Sequence, residues 1–226
     1  MTGQSLSIIA LGAHPDDIEI SMAGLCLRFA RAGHRVSWII ATDGAASRGP
    51  SDPTLAAERR EEASAAAASC GVELIQLGMS DGKLAWHDGA TQMIGALLAE
   101  RRADLLVTHA PTDYHPDHRA LSRMVLDTAP FGTAILLADN MLGVGSGPSI
   151  LVDISDVFED KLAALSHHSS QLPEGPAEVL RITNRYRGLQ SGSSRFTYAE
   201  AYQTVRRLTA DPHALLDRVG GYVKLP

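Results

Sequence analysis

Short β-type runs alternate with longer helical stretches through the first half of the chain, and this alternation constrains the fold more than any other feature. Ser7–Leu11 is a compact apolar run that reads as a strand. Ile18–Ala32 follows with helical spacing and stops at Gly33, a residue suited to a left-handed helix end. Val36–Thr42 reads as a second strand, and the Gly/Ser/Pro-rich stretch Asp43–Pro53 as a loop. The Ala-rich segment Thr54–Ser69 predicts a helix closed by Cys70-Gly71, then Val72–Leu77 a strand, Thr91–Arg102 a helix, Asp104–His109 a strand and His118–Thr128 a helix. Such spacing implies βαβ units. Right-handed crossovers then give an α/β fold with a Rossmann-like, doubly wound, mostly parallel sheet and helices on both faces. The C-terminal portion is less regular: Thr133–Ala138 and Ile150–Asp153 predict strands, and Asp156–His168 and Tyr198–Thr209 helices, with loops at Gly143–Gly147 and Gln190–Ser194. Neither a repeat nor a linker divides the chain, so residues 1–226 are expected to form a single domain.

Charge narrows the partners. A net charge of -6 supplies no basic face for nucleic acid and would be repelled by an anionic membrane surface. No apolar run approaches the length of a membrane span. Met1–Ser7 lacks the basic and apolar regions of a signal peptide, which sets the expectation of a cytoplasmic protein. Cys26 and Cys70 lie in separate helical stretches and read as reduced thiols.

Two segments carry chemistry. Ala13-His14-Pro15-Asp16-Asp17 follows the first predicted strand, and Asp113-Tyr114-His115-Pro116-Asp117-His118 follows the fourth. In the usual doubly wound order these strands are neighbours at the topological switch point, where ligands bind. His14 and Asp17 are three residues apart across a tight turn and can reach one ion; His115 and His118 have the same spacing. Two imidazoles and a carboxylate with an open position form a common catalytic zinc shell, whereas magnesium or calcium would prefer more oxygen ligands. Arg48, in the loop after the second strand, and Asp81, after the third, sit on the same rim as candidate substrate contacts. His109 reads as a core or supporting residue, and His168 as a helix-end cap or subunit contact. No GxSxG elbow is present, and Gly143-Val-Gly-Ser-Gly is followed by Pro148 rather than a helix, which excludes a dinucleotide fingerprint.

With these motifs the chain resembles the PIG-L/LmbE-like family of zinc-dependent N-deacetylases. AHPDD (Ala13–Asp17) and HPDH (His115–His118) carry the resemblance. Weaker marks agree in order: Thr42-Asp43-Gly44 with Ser47-Arg48-Gly49, Arg59-Arg60-Glu61-Glu62, Val152–Ser155, Lys161, His168–Gln171, Arg187-Gly188 and Tyr198–Ala201. The resemblance implies that His14, Asp17 and His118 hold the metal, that Asp16 is the general base, and that His115, supported by Asp117, stabilises the developing oxyanion. Spacing alone does not choose between the adjacent aspartates; the family pattern does. The implied cofactor is Zn2+, with Fe2+, Co2+ or Mn2+ compatible with the same donors. The implied substrate is a small amide, an N-acetyl amino sugar or conjugate. Ala45 stands where many members carry a glutamate, so no role of that glutamate transfers. Two other readings stand beside this one: a zinc amidase for a non-sugar amide, and a non-catalytic metal- or nucleotide-binding module. The irregular C-terminal half also offers surface for self-assembly into a homo-oligomer.

Overall fold

The computed structural model describes residues 4–145, 147–171, 176–205 and 210–225. The elements in order are β1 (Ser7–Gly12), α1 (Asp17–Ser21), α2 (Ala23–Arg31), β2 (Arg35–Thr42), α3 (Pro53–Cys70), β3 (Glu73–Met79), a 3-10 turn (Leu84–Trp86), α4 (Ala90–Arg101) and β4 (Leu105–His109). They continue with α5 (Pro116–Thr128), β5 (Ala134–Ala138), β6 (Ile150–Asp153), α6 (Phe158–Leu165), α7 (Pro176–Gln190), β7 (Ala199–Thr204), α8 (Pro212–Leu216) and β8 (Tyr222–Lys224). One sheet runs in the order β3-β2-β1-β4-β5-β7-β6-β8. The first five strands pair in parallel and the last three antiparallel. This is the expected doubly wound half, extended by an antiparallel edge.

The central strands show why the sequence reads as unbroken apolar runs. In β1, Ile8 and Ala10 pack with Leu25, Phe29 and Trp38 on one face, while Ile9 and Leu11 pack with Ile39, Ile94 and Leu121 on the other. A strand buried on both faces needs apolar residues at every position, not at alternate ones. β1 pairs with β4 through Ile8–Leu105 to Ala10–Val107, so the loops leaving their carboxyl ends lie side by side.

Two expectations need correction. The stretch Ile18–Ala32 is two helices, because the chain breaks at Met22 (φ -137°). Tyr198–Thr209 is not a helix: Ala199–Thr204 is a strand, and residues 206–209 lie outside those described. A carboxylate inside a buried strand, Glu200, is improbable without partners. Here its oxygens accept from the Gly24 and Leu25 amides (2.9 and 2.8 Å), the Tyr202 hydroxyl (2.6 Å) and Lys161 Nζ (2.7 Å). Finally, α7 fills a stretch for which no element was predicted. Among the described residues no helix is long and apolar enough to cross a membrane.

Candidate metal centre

The site begins where β1 ends. Gly12 is required there, because a Cβ would stand 3.0 Å from Asp17 Cβ and 3.1 Å from Ile18 Cγ1, where α1 turns back over the strand. Asp16 closes that turn with φ 115°, a left-handed conformation that a non-glycine residue holds at a cost of about 1–3 kcal/mol. Side chains elsewhere must hold it. On the neighbouring strand, α5 starts at Pro116 with His115 as its N-cap, whose Nδ1 accepts from the Asp117 amide at 3.2 Å. Proline at the first helical position and a capping acceptor before it fix where His118 emerges.

The two loops bring three donors face to face. His14 Nδ1 lies 3.2 Å from Asp17 Oδ2, His118 Nε2 lies 3.2 Å from Asp17 Oδ1, and the two ring nitrogens are 3.3 Å apart. Ligands about 2.0–2.1 Å from a tetrahedral ion stand about 3.3 Å from one another, so the spacing fits one divalent ion of zinc's size. The electrostatics agree. Burial works against charge on all three groups, yet His118, His109 and His14 hold the Asp17 carboxyl well below the usual range. Against the same burial, Asp17 raises His14, and Asp17 with Asp113 pushes His118 up to about 9. Protons on the imidazoles thus balance a charge that a bound cation would balance instead, so metal uptake would release them.

Each ligand has a second partner. His14 Nε2 lies 3.1 Å from Asp81 Oδ1 and 3.4 Å from Asp117 Oδ2, within ion-pair distance though aligned on neither. His118 Nδ1 is 3.1 Å from Asp113 Oδ1. Carboxylates behind metal-binding imidazoles fix the ring and raise its basicity. Asp117 is wholly buried and accepts from the Gly82 and Leu84 amides at 2.7 and 3.1 Å, so its carboxylate serves His14 and the loop after β3, while its backbone serves His115. Asp81 is tied to the Ala46 amide (2.9 Å) as well as to His14. Arg48 is exposed, with one guanidinium nitrogen on the Ser170 carbonyl.

Other side chains complete the site. Burial pushes the Asp16 carboxyl up to about 7, against the pull of Arg59, whose Nη2 is 3.1 Å from Asp16 Oδ2. Burial also lowers His115, as do the charges on His14 and His118. With Nδ1 occupied as an acceptor, its neutral ring carries the proton on Nε2 and can donate a hydrogen bond. His109 stacks on His118 (3.8 Å between ring centres, 12° between planes), takes the Ala13 amide on Nε2 at 3.1 Å and lies 3.2 Å from Asp17 Oδ2. His168 is neither a cap nor a surface contact: it is fully buried, 3.0 Å from the buried Glu19. Ala45 is buried too. Arg59 and Asp113 received no site role from the sequence, whereas His109, expected as a core or supporting residue, is buried against Asp17 and His118.

The chain is a doubly wound α/β scaffold with His and Asp side chains, able to hold a metal ion, grouped at the carboxyl edge of its parallel strands. Residues 9–129, more than half of the 226, match the family described as PIG-L: GlcNAc-PI de-N-acetylase, and the chain belongs to that family. It is therefore a hydrolase of carbon–nitrogen bonds other than peptide bonds. It is 29% identical to diacetylchitobiose deacetylase of Thermococcus kodakarensis, over 88% of this chain and 82% of that one. It is 28% identical to a probable N-acetyl-alpha-D-glucosaminyl L-malate deacetylase 2 of Bacillus cereus, over 73% of this chain and 83% of the relative. GalB, a 4-carboxy-2-hydroxymuconate hydratase from Pseudomonas putida KT2440, superposes with TM-score 0.80 at 19% identity, covering 91% of this chain and 99% of that one. At that identity the likeness concerns the fold, and a shared fold does not fix the reaction.

Proposed function

We propose that the protein is a zinc-dependent N-deacetylase acting on a small N-acetylglucosamine-type substrate, with His14, Asp17 and His118 as ligands and Asp16 as general base. The observation that carries this is the cluster of His14 Nδ1 and His118 Nε2, 3.3 Å apart and each 3.2 Å from one of the two Asp17 carboxylate oxygens, with the Asp16 carboxyl on the residue next to that ligand. Zinc bound there lowers the pKa of its water to about 7 and polarises a carbonyl oxygen. Asp16 accepts the proton from the attacking water and returns it to the departing nitrogen, a role suited to a carboxyl held near 7. The His115 ring lies 4.6 Å from that of His14 and 4.7 Å from that of His118, and its Nε2–H would donate to the oxygen that gains charge at the tetrahedral stage. Asp113 and the Asp81–Asp117 pair hold His118 and His14 in place. Exposed Arg48 is the proposed contact for sugar hydroxyls, whereas the Asp81 oxygens, also expected as a substrate contact, are taken by the Ala46 amide and His14. The relatives named as deacetylases of N-acetylglucosamine compounds support this substrate class.

The test pairs two adjacent aspartates. Asp16→Asn should retain about one zinc per chain and lose about 10²–10⁴-fold in turnover, the usual worth of a positioned acid–base. Asp17→Ala should lose the zinc itself. Acetate release from N-acetylglucosamine, diacetylchitobiose and a non-sugar acetamide, with metal content by mass spectrometry, reads both. Metal lost from the first variant and kept by the second would overturn the assignment. Acetate from the non-sugar amide alone would overturn the substrate class.

A further inference from the structure

The mouth of the metal centre has two unlike sides. Strand order places the loops after β2 and β5 on opposite flanks of the β1–β4 pair, from whose ends the ligands come. Exposed Arg48 stands on the β2 flank. The β5 flank is apolar: Leu142 is 57% exposed and Val144 56%, and Tyr114, on the loop after β4, is 53% exposed with its ring centre 6.3 Å from that of His118. The loops after β4 and β5 meet, since a Cβ on Gly145 would stand 3.7 Å from the Thr112 carbonyl oxygen.

Single exposed apolar residues need no explanation, but these three are held out by pinned backbone. Asn140 Oδ1 accepts from the Leu142 and Val144 amides at 3.1 and 3.4 Å, and its Nδ2 donates to the Val144 carbonyl at 2.6 Å. Arg187 Nη2 donates to the Gly143 carbonyl at 3.2 Å, and its Nε donates to Asp139 Oδ2 at 3.0 Å. Behind Tyr114, Arg119 Nη1 donates to the carbonyls of Asp113 and Tyr114, both at 2.7 Å. A loose loop would fold its apolar side chains inward; this one is tied with them facing solvent. The ordering entropy is therefore spent before a ligand arrives, which favours binding. Arg187 is ion-paired with Asp139, so its charge is not available to a carboxylate on the ligand.

We propose that Tyr114, Leu142 and Val144 form a subsite for an apolar, uncharged group attached to the amino sugar. The substrate is then an N-acetylglucosaminide whose apolar aglycone lies on the β5 flank, with sugar hydroxyls towards Arg48, and not the conjugate of a dicarboxylic acid. The inference rests on the reading of the centre as an amino-sugar deacetylase. The tyrosine ring supplies a broad apolar face with a polar tip, and the two aliphatic side chains cover what projects beyond it.

Acetate release by the zinc-loaded protein from methyl, phenyl and octyl N-acetylglucosaminides, each as both anomers, and from N-acetylglucosaminyl malate tests this. For the preferred anomer, kcat/KM of the phenyl and octyl glycosides should exceed that of the methyl glycoside by about tenfold or more, with the malate conjugate below it. In the double variant Leu142→Ser/Val144→Ser, and in Tyr114→Ala, the phenyl-to-methyl ratio should fall by about threefold or more. A second arm needs no turnover. Phenyl glucoside, which lacks the amide, should bind the metal-free protein with a negative heat-capacity change, and the double variant should shrink that change and weaken the affinity by about threefold or more. Its two substitutions are at exposed positions, so its melting temperature should stay within about 2 °C of wild type. Equal kcat/KM for the methyl, phenyl and octyl glycosides would overturn the proposal. So would a preference for the malate conjugate, a phenyl preference that survives both variants, or phenyl glucoside binding untouched by the double variant. If no glycoside releases acetate while phenyl glucoside still binds through Leu142 and Val144, the deacetylase reading falls and the subsite stands, which separates the two failures.

Discussion

Asp117 is the position at which fold stability and metal binding can be separated by one atom. Its carboxylate is wholly buried and serves as acceptor for two buried or half-buried amides, Gly82 at 2.7 Å and Leu84 at 3.1 Å, with His14 Nε2 at 3.4 Å beyond. Asp117→Ala removes every acceptor. Each orphaned amide costs about 1–3 kcal/mol, so the metal-free protein should lose about 2–6 kcal/mol. For a chain of this size each kcal/mol lowers the melting temperature by about 2–4 °C, which places the expected drop between about 4 and 24 °C. Asp117→Asn keeps one carbonyl oxygen but turns an NH2 towards a donor, so one amide stays bonded and the loss should be about half. The two variants should also weaken zinc binding by about 10–100-fold, through His14 and not through His115. Calorimetry of the metal-free variants, followed by zinc titration against a chelator, reads both quantities. Melting temperatures within 1 °C of wild type for Asp117→Ala would refute the argument. So would a stability loss with zinc affinity unchanged, because the carboxylate would then serve the loop alone.

Two further expectations follow from the same geometry. Gly44→Ala forces a Cβ against the Arg59 guanidinium at 2.6–2.8 Å and places alanine at φ +64°; strain of about 1–3 kcal/mol should appear as a lower melting temperature, together with reduced turnover because the clash displaces Arg59. The second concerns pH. Burial alone would lower His168, but Glu19 beside it, with Asp16 and Glu62 further off, raises it above its ordinary value. A raised folded-state pKa contributes stability that is complete below the unfolded value of about 6.5 and is lost as pH rises through the folded value. Metal-free wild type should therefore lose stability on the alkaline side of about pH 6.5, and His168→Gln should flatten that part of the profile; chemical denaturation across the range measures it, and an unchanged slope in the variant would refute the pairing.

The parallel half of the fold was legible because its central strands are buried on both faces and its helices carry clear stops at Gly33 and Gly71. Of the antiparallel edge, β6 was legible at Ile150–Asp153, but β7 was not, and the reason is tertiary. Tyr198–Thr204 contains Glu200, and only the convergence of the α2 amides, Lys161 and Tyr202 makes that carboxylate tolerable inside. Those partners come from three separate elements, so no local window reveals them. The break at Met22 is equally opaque, because the residues around it are good helix formers.

The site divides along a similar line. Its ligating motifs were visible because strand order brings the ends of β1 and β4 together and each motif has metal spacing in the chain. Its supporting residues come from α3, the β3 loop and the segment after α6, and their purpose appears only on contact. Arg59 and Glu62, one turn apart on α3, illustrate the point. The first grips Pro15, Asp16 and Gly44; the second takes the Ser170 amide and the Ser169 and Ser170 hydroxyls at 2.6–3.0 Å. The sequence marks this stretch only through the family resemblance and assigns the pair no contact, yet both side chains are buried. One helix face thus ties three loops around the metal motif. The precision required of a catalytic carboxylate is supplied by a rigid element some forty residues away in the chain, and a sequence window centred on His14 does not contain it.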